Sequence, residues 1–212
     1  MENRISEISS KKNGRIKIGI IPGHFATNHS HINYYVDMTT IKTNHSIAKL
    51  AATELANEYK STYIDTIICL EGTEMIGAFL AEALTQNGFT SINEGKDISV
   101  ITPEMNANNQ MIFRDNIQKS VYGKKILLMI ASASTGKTIN RSTECLKYYN
   151  GSLTAIASIF SATSDMHGIS IKSIFTSDDL PDYKTQTPAD CELCKNGVKV
   201  DAIVNSYGYS RI

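Results

Sequence analysis

The sequence predicts an α/β fold, a twisted parallel sheet with flanking helices, and two observations carry that prediction. Runs rich in β-forming residues, YIDTIICL at 63–70 and KKILLMIA at 124–131, have strand length and turn residues at their ends, as strands buried in a parallel sheet require. Between and after them lie segments whose apolar residues recur at helical spacing. Strand–helix alternation of this kind favours parallel pairing with helices covering the faces.

Each element has its own signal. Ile47, Leu50, Ala51 and Leu55 mark a helix over 46–59, with Asn44 or Ser46 placed to cap it. The strand at 63–70 ends in a loop at 71–74. A helix then runs through Met75, Ile76, Phe79, Leu80, Ala83 and Leu84 and stops before Gly88. Residues 98–102 form a short strand ended by Pro103. The polar stretch 103–122, with Asn106, Asn108, Asn109 and Gln110, lacks periodicity and reads as a mobile lid or a hairpin. After the strand at 124–131 comes a small-residue loop at 132–138, then a helix through Leu146 and Tyr149 that Gly151 ends. Two further strands are expected at 153–161 and 169–175.

At 212 residues the chain fits a single domain. Its core is expected over 41–179, with a small hood from about 1–40 and 180–212. Hydrophobic residues at 42% and charged residues at 20% exclude a disordered or collagen-like chain. Basic and acidic residues number 21 each, a balance that speaks against nucleic acid as a partner. No apolar run approaches the roughly 20 residues of a membrane span, and residues 1–15 lack the apolar core of a secretion signal. A soluble, cytoplasmic protein is expected.

Parallel sheets bind ligands in loops beyond the carboxyl ends of their strands. The loops at 71–74 and 132–138 occupy that position. In Ala131-Ser132-Ala133-Ser134-Thr135-Gly136-Lys137-Thr138, an apolar strand gives way to a small-residue turn and then a helix. Gly136 permits close backbone approach, and the free amides of the helix start favour an anion. The hydroxyls of Ser134, Thr135 and Thr138 can donate to phosphate oxygens, and Lys137 can add charge. Gly136-Lys137-Thr138 also looks like the end of a P-loop, but Ala131 stands where the leading glycine belongs.

The same segment resembles the phosphoribosyl diphosphate (PRPP) motif of type I phosphoribosyltransferases, in which an apolar strand and two acidic residues precede T-[TS/A]-G-x-[TS]. Gly23-His24-Phe25 followed by His31 and Tyr35 is similar to the opening of the orotate branch. Residues 71–77, EGTEMIG, sit where that branch has its diphosphate loop, and Ile112-Phe113-Arg114 resembles the start of its mobile catalytic loop. The segment 190–197, DCELCKNG, is similar to a C-P-L-C-x-x-G ending. These matches run in order from about Gly23 to Gly197. The resemblance implies a homodimer that transfers a phosphoribosyl group from PRPP to a pyrimidine-type base such as orotate, with Mg2+ and release of diphosphate. It implies that Ser134, Thr135, Gly136, Lys137 and Thr138 hold the 5′-phosphate, that Gly72, Thr73 and Glu74 meet the diphosphate, and that Arg114 covers it.

Two departures qualify the resemblance. The family's acidic pair, which holds the ribose hydroxyls, falls on Ala131 and Ser132. Its loss removes two charge-assisted hydrogen bonds of about 1.5–3 kcal/mol each, enough to weaken ribose binding by about two to four orders of magnitude. Ser132 can recover one neutral bond. In the mobile loop the first lysine is replaced by Asp115, which opposes the charge such a loop supplies. Two readings stay open: catalysis with substitute groups, with Glu71 or Glu74 helping to organise Mg2+, or a non-catalytic sensor or regulator that binds phosphoribosyl ligands or nucleotides.

The four cysteines form no disulfide framework. Cys191-x-x-Cys194 has half a zinc site's spacing, yet no second pair or neighbouring histidine completes it in the sequence, so packed thiols in a simple turn are expected, with a metal completed across a dimer as the alternative, and no metal ligand is assigned. Cys69 and Cys145 read as buried structural residues. His29 and His31 read as polar loop residues, facing the base pocket if the resemblance holds. Under the same condition Tyr34 or Tyr35 would stack on a base.

Overall fold

Alternating burial along the first strands builds one sheet, and continuous burial along the central strands builds another. The computed structural model describes residues 2–86, 88, 90–107 and 110–212. The chain opens with β1 (Ser6–Ser9), β2 (Lys17–Ala26) and β3 (His31–Asp37), paired antiparallel in succession. Ile18, Ile20 and Val36 join the main core, while Ile21, Phe25, Ile32 and Tyr35 form a separate apolar cluster. The short α1 (Thr39–Thr43) leads to α2 (His45–Glu58). Asn44 caps α2 by accepting the N–H groups of Ser46 and Ile47, a contact of about 1 kcal/mol.

Next come β4 (Thr66–Cys69), α3 (Glu74–Thr85) and β5 (Ser99–Ile101). Gly77 lets α3 lie close on β4, because a side chain there would run into Cys69 Sγ. The polar stretch 103–122 is a small hairpin, β6 (Glu104–Met105) with β7 (Met111–Ile112), followed by the helical turn α4 (Asp115–Gln118). Asn106 closes the hairpin by donating its backbone N–H to the Gln110 carbonyl at 3.1 Å and its side-chain amide to Gln110 Oε1 at 2.8 Å. Asn108 and Asn109 lie outside the described residues.

The central sheet is completed by β8 (Lys125–Ala133), α5 (Lys137–Tyr148), β9 (Ser152–Ser161), β10 (Asp165–Met166) and β11 (Ile169–Thr176). Its order is β10-β11-β9-β8-β4-β5, and every neighbouring pair except β10–β11 is parallel. Along β8, Leu127, Met129 and Ala131 pack in one cluster with Leu55 of α2 and Leu80 of α3. Ile126, Leu128 and Ile130 pack in the other with Ile139 and Leu146 of α5. Cover on both faces is the physical reason this strand reads as an unbroken apolar run. The strand runs two residues past its expected end, so Ser132 lies in the sheet and not in the following loop.

The chain ends with β12 (Thr185–Gln186), α6 (Glu192–Lys195), β13 (Ala202–Asn205) and β14 (Gly208–Arg211). β12 pairs antiparallel with β3, β13 parallel with β2, and β14 antiparallel with β13. Both ends of the chain therefore build one six-stranded sheet, β12-β3-β2-β13-β14 with β1 on β2. Among the described residues no helix is long and apolar enough to cross a membrane.

Candidate functional site

A cleft of about 850 Å³ opens at the carboxyl ends of β4 and β8 and is roofed by residues of the terminal sheet. Its floor is the turn between β8 and α5. Gly136 holds a left-handed φ of 70° there, and a side chain at that position would meet Met166. The twelve-residue helix α5 starts directly after it, and no side chain caps its first amides among the described residues. Ser132, Ser134, Thr135, Gly136, Lys137 and Thr138 all line the cleft, with Thr135 and Lys137 exposed. Ser134 and Tyr183 share the same cleft wall. Open helix amides, a left-handed glycine and several hydroxyls make a cradle for a tetrahedral anion.

The second wall is the turn after β4. Glu71 takes a left-handed φ of 61°, and its Oε2 accepts the backbone N–H groups of Ala131 at 3.0 Å and Ser132 at 3.2 Å. β4 stops at Cys69 while β8 continues to Ala133, so this carboxylate occupies the place a longer neighbouring strand would take. Burial pushes the Glu71 carboxyl above the ordinary carboxylate range, against the two N–H bonds and the nearby Lys42. Gly72 and the exposed Glu74 line the cleft, and Glu74 accepts a bond from the Thr102 hydroxyl at 3.3 Å. Thr73 does not line it. Its hydroxyl is fully buried and donates to the carbonyls of Leu70 at 2.8 Å and Met129 at 3.1 Å, tying the turn to the sheet.

Lys42, which sequence reasoning missed, bridges the two sheets. Its ammonium donates to the Glu71 carbonyl at 3.3 Å and to the Ser206 carbonyl of the β13–β14 turn at 2.8 Å. Burial lowers its pKa, while Glu71, Asp37 and Glu74 oppose that shift. Arg141, one turn into α5, also faces the cleft. Neither residue belongs to a motif, and only the folded register brings them to the pocket.

Tyr35 lines the cleft and is held edge-to-face against Tyr209 at 5.1 Å. Burial pushes its phenol up to about 12, so it stays neutral at pH 7. Tyr34 instead packs on the main core. His29 lines the cleft and His31 does not. Arg114 does not reach it either. Its guanidinium forms a two-pronged pair with Glu104 across the small hairpin, Nε to Oε2 at 2.8 Å and Nη2 to Oε1 at 2.9 Å. The expected role of Arg114 as a cover over the diphosphate is therefore not met within its own chain.

The Cys191-x-x-Cys194 pair also differs from expectation. The fold brings His24 and His31 against it, although 160 or more residues separate them in the chain.

Neither a family profile nor a curated protein matches the sequence. Solved structures do match. A Corynebacterium diphtheriae phosphoribosyltransferase aligns at 18% identity over 76% of this chain and 90% of its own, with a TM-score of 0.52. The Mycobacterium tuberculosis H37Rv orotate phosphoribosyltransferase in complex with PRPP aligns at 14% identity over 69% and 82%, also at 0.52. An adenine phosphoribosyltransferase from Thermoanaerobacter pseudethanolicus aligns at 16% identity over 82% and 96%, at 0.50. The chain has the fold of the type I phosphoribosyltransferases.

Proposed function

We propose that this chain binds PRPP in the cleft and transfers its phosphoribosyl group to a pyrimidine-type base such as orotate. The observation that carries the reading is the turn at 134–138: a left-handed glycine and an uncapped twelve-residue helix facing a cleft at the carboxyl ends of parallel strands. The 5′-phosphate sits on the amides and hydroxyls of Ser134, Thr135, Gly136, Lys137 and Thr138, and Gly72 and Glu74 meet the diphosphate. Glu71, reaching across from the neighbouring strand to the Ala131 and Ser132 amides, supplies the carboxylate that the ribose hydroxyls need. It thereby replaces the acidic pair that is absent at 131 and 132.

Mg2+ fits this donor set, since the carboxylates of Glu71 and Glu74 line the same cleft and this ion combines one or two carboxylates with substrate phosphates. When bound, it offsets the negative charge of the diphosphate. In the transfer, a base nitrogen gives up its proton to the departing diphosphate or to water and bonds to the ribosyl carbon as the carbon–oxygen bond to diphosphate breaks, and diphosphate leaves with the electron pair. Tyr35, a neutral ring at the cleft wall, packs against the base. Arg114 acts on a neighbouring copy in a homodimer.

A second reading is favoured by two observations. Residues 131 and 132 carry no carboxylate, and Arg114 is held by Glu104 outside the cleft. Under it the protein is a phosphoribosyl-ligand or nucleotide sensor without turnover. Diphosphate release, followed with PRPP, Mg2+ and orotate, uracil or adenine in turn, separates the two. Release with one base supports transfer, and PRPP binding without release for any base supports the sensor. The double variant Thr135→Ala, Gly136→Ala is expected to weaken PRPP binding by at least about tenfold, the worth of one phosphate hydrogen bond. Unchanged affinity in that variant contradicts both readings.

A further inference from the structure

We propose that His24, His31, Cys191 and Cys194 form a structural Zn2+ site that fastens α6 onto the β2–β3 hairpin. Two ligands come from each side: His24 near the end of β2 and His31 at the start of β3, Cys191 at the cap of α6 and Cys194 within it. The ligand atoms of all four lie within 4.8 Å of one another. His24 Nε2 is 2.9 Å from His31 Nδ1, 3.5 Å from Cys191 Sγ and 3.7 Å from Cys194 Sγ. His31 Nδ1 is 3.2 Å from Cys194 Sγ. A tetrahedral zinc with nitrogen at about 2.05 Å and sulfur at about 2.3 Å has nitrogen–nitrogen edges of about 3.3 Å and nitrogen–sulfur edges of about 3.6 Å. The observed nitrogen–sulfur edges of 3.2, 3.5 and 3.7 Å bracket the second value, and the nitrogen–nitrogen edge of 2.9 Å is somewhat shorter than the first.

The surroundings carry the argument further. His24 Nδ1 lies 2.8 Å from the Val198 carbonyl. Since a carbonyl only accepts, Nδ1 carries the proton and the Nε2 lone pair is left pointing at the cluster. This outer bond is the one that sets the tautomer of zinc-bound histidines. The Asp201 carboxylate holds the His24 backbone N–H at 2.9 Å, fixing the strand on which the ring is mounted. After the cysteines, Lys195 and Gly197 donate their N–H groups to the Cys191 and Cys194 carbonyls at 3.1 and 2.9 Å. That tight turn directs both sulfurs to one side. His24 and Cys191 are each 1% exposed, so two of the four ligands are withheld from water.

The ligand chemistry selects the ion. Two thiolates and two imidazoles suit zinc, whereas Mg2+ and Ca2+ take oxygen. Four protein ligands leave no open position for substrate, which marks a structural role. The site supports the segment whose β13–β14 turn carries Ser206, the partner of Lys42 at the cleft. Its existence does not depend on what the cleft binds.

The test is elemental analysis of the full chain, purified without a metal-affinity step, together with cobalt substitution. About one zinc per chain is expected, falling to near none in Cys191→Ser, Cys194→Ser. Chelation is expected to lower Tm by roughly 5–20 °C. The Co2+ form should show the visible bands of tetrahedral cobalt and a thiolate-to-cobalt charge-transfer band, and His31→Ala, which keeps both thiols, should alter those bands. If the double variant does not fold, the cobalt spectrum of the unaltered chain decides. A folded, zinc-free chain whose Tm does not rise on adding zinc overturns the proposal, as does an octahedral cobalt spectrum or a Cys191–Cys194 disulfide in the purified protein.

Discussion

Glu71 is a partly buried acid whose stability effect and proposed binding role point in opposite directions. Burial raises its pKa above 4.5. A carboxyl whose folded pKa exceeds its unfolded value destabilises the fold once ionised. The penalty is full above the raised folded value, shrinks as pH falls through it and is absent below about 4.5. Glu71→Gln is therefore expected to raise Tm at pH 8 and to match the parent chain near pH 4, as read by thermal melts across pH. The same variant should weaken PRPP binding by about 10–150-fold, the worth of one charge-assisted hydrogen bond of 1.5–3 kcal/mol. Thr73 gives the opposite pattern. Its hydroxyl is spent on the Leu70 and Met129 carbonyls, so Thr73→Val should cost about 1–3 kcal/mol of stability and leave PRPP affinity near the parent value. A large affinity loss with unchanged Tm would return Thr73 to the ligand.

At the scale of elements, close packing of α3 on β4 depends on Gly77. A methyl group there collides with Cys69 Sγ, so Gly77→Ala should cost about 1–3 kcal/mol through overpacking, a Tm fall of roughly 2–12 °C. Central elements such as α2, α3 and β8 are legible in the sequence because each announces itself locally, by Asn44 as a cap, by helical spacing or by an unbroken apolar run. The end of β8 is not legible. Ala131, Ser132 and Ala133 are small residues that suit a loop as well as a strand, and pairing of Ser132 with Phe160 and Ala133 with Ser161 decides it. Lys42, Arg141 and the bonds from Glu71 to the Ala131 and Ser132 amides escape for a related reason: they arise from sheet register, which leaves no mark on neighbouring residues. The His24–His31–Cys191–Cys194 cluster is hidden by chain distance, since β2, β3 and α6 meet only after both termini join one sheet.

For the whole molecule, the position of Arg114 is the informative feature. It stands exposed at the start of α4, just after the small hairpin, and is paired with Glu104 away from its own cleft. If a second copy places it over the neighbouring cleft, chains carrying Arg114→Ala and chains carrying Thr135→Ala, Gly136→Ala should each be slow alone. Mixed and reassembled, half of the dimers would hold one intact site, and about one quarter of the parent activity should return. Failure to complement would confine the reaction to one chain.

The most direct test of the phosphoribosyl site is a calorimetric titration of the full chain with PRPP and Mg2+, repeated with ATP and Mg2+. Saturable binding of one PRPP per chain, with ATP much weaker, is the expected result. No heat with PRPP, or ATP binding as tightly and depending on Lys137, would contradict it and leave the turn at 134–138 a cradle for some other phosphate.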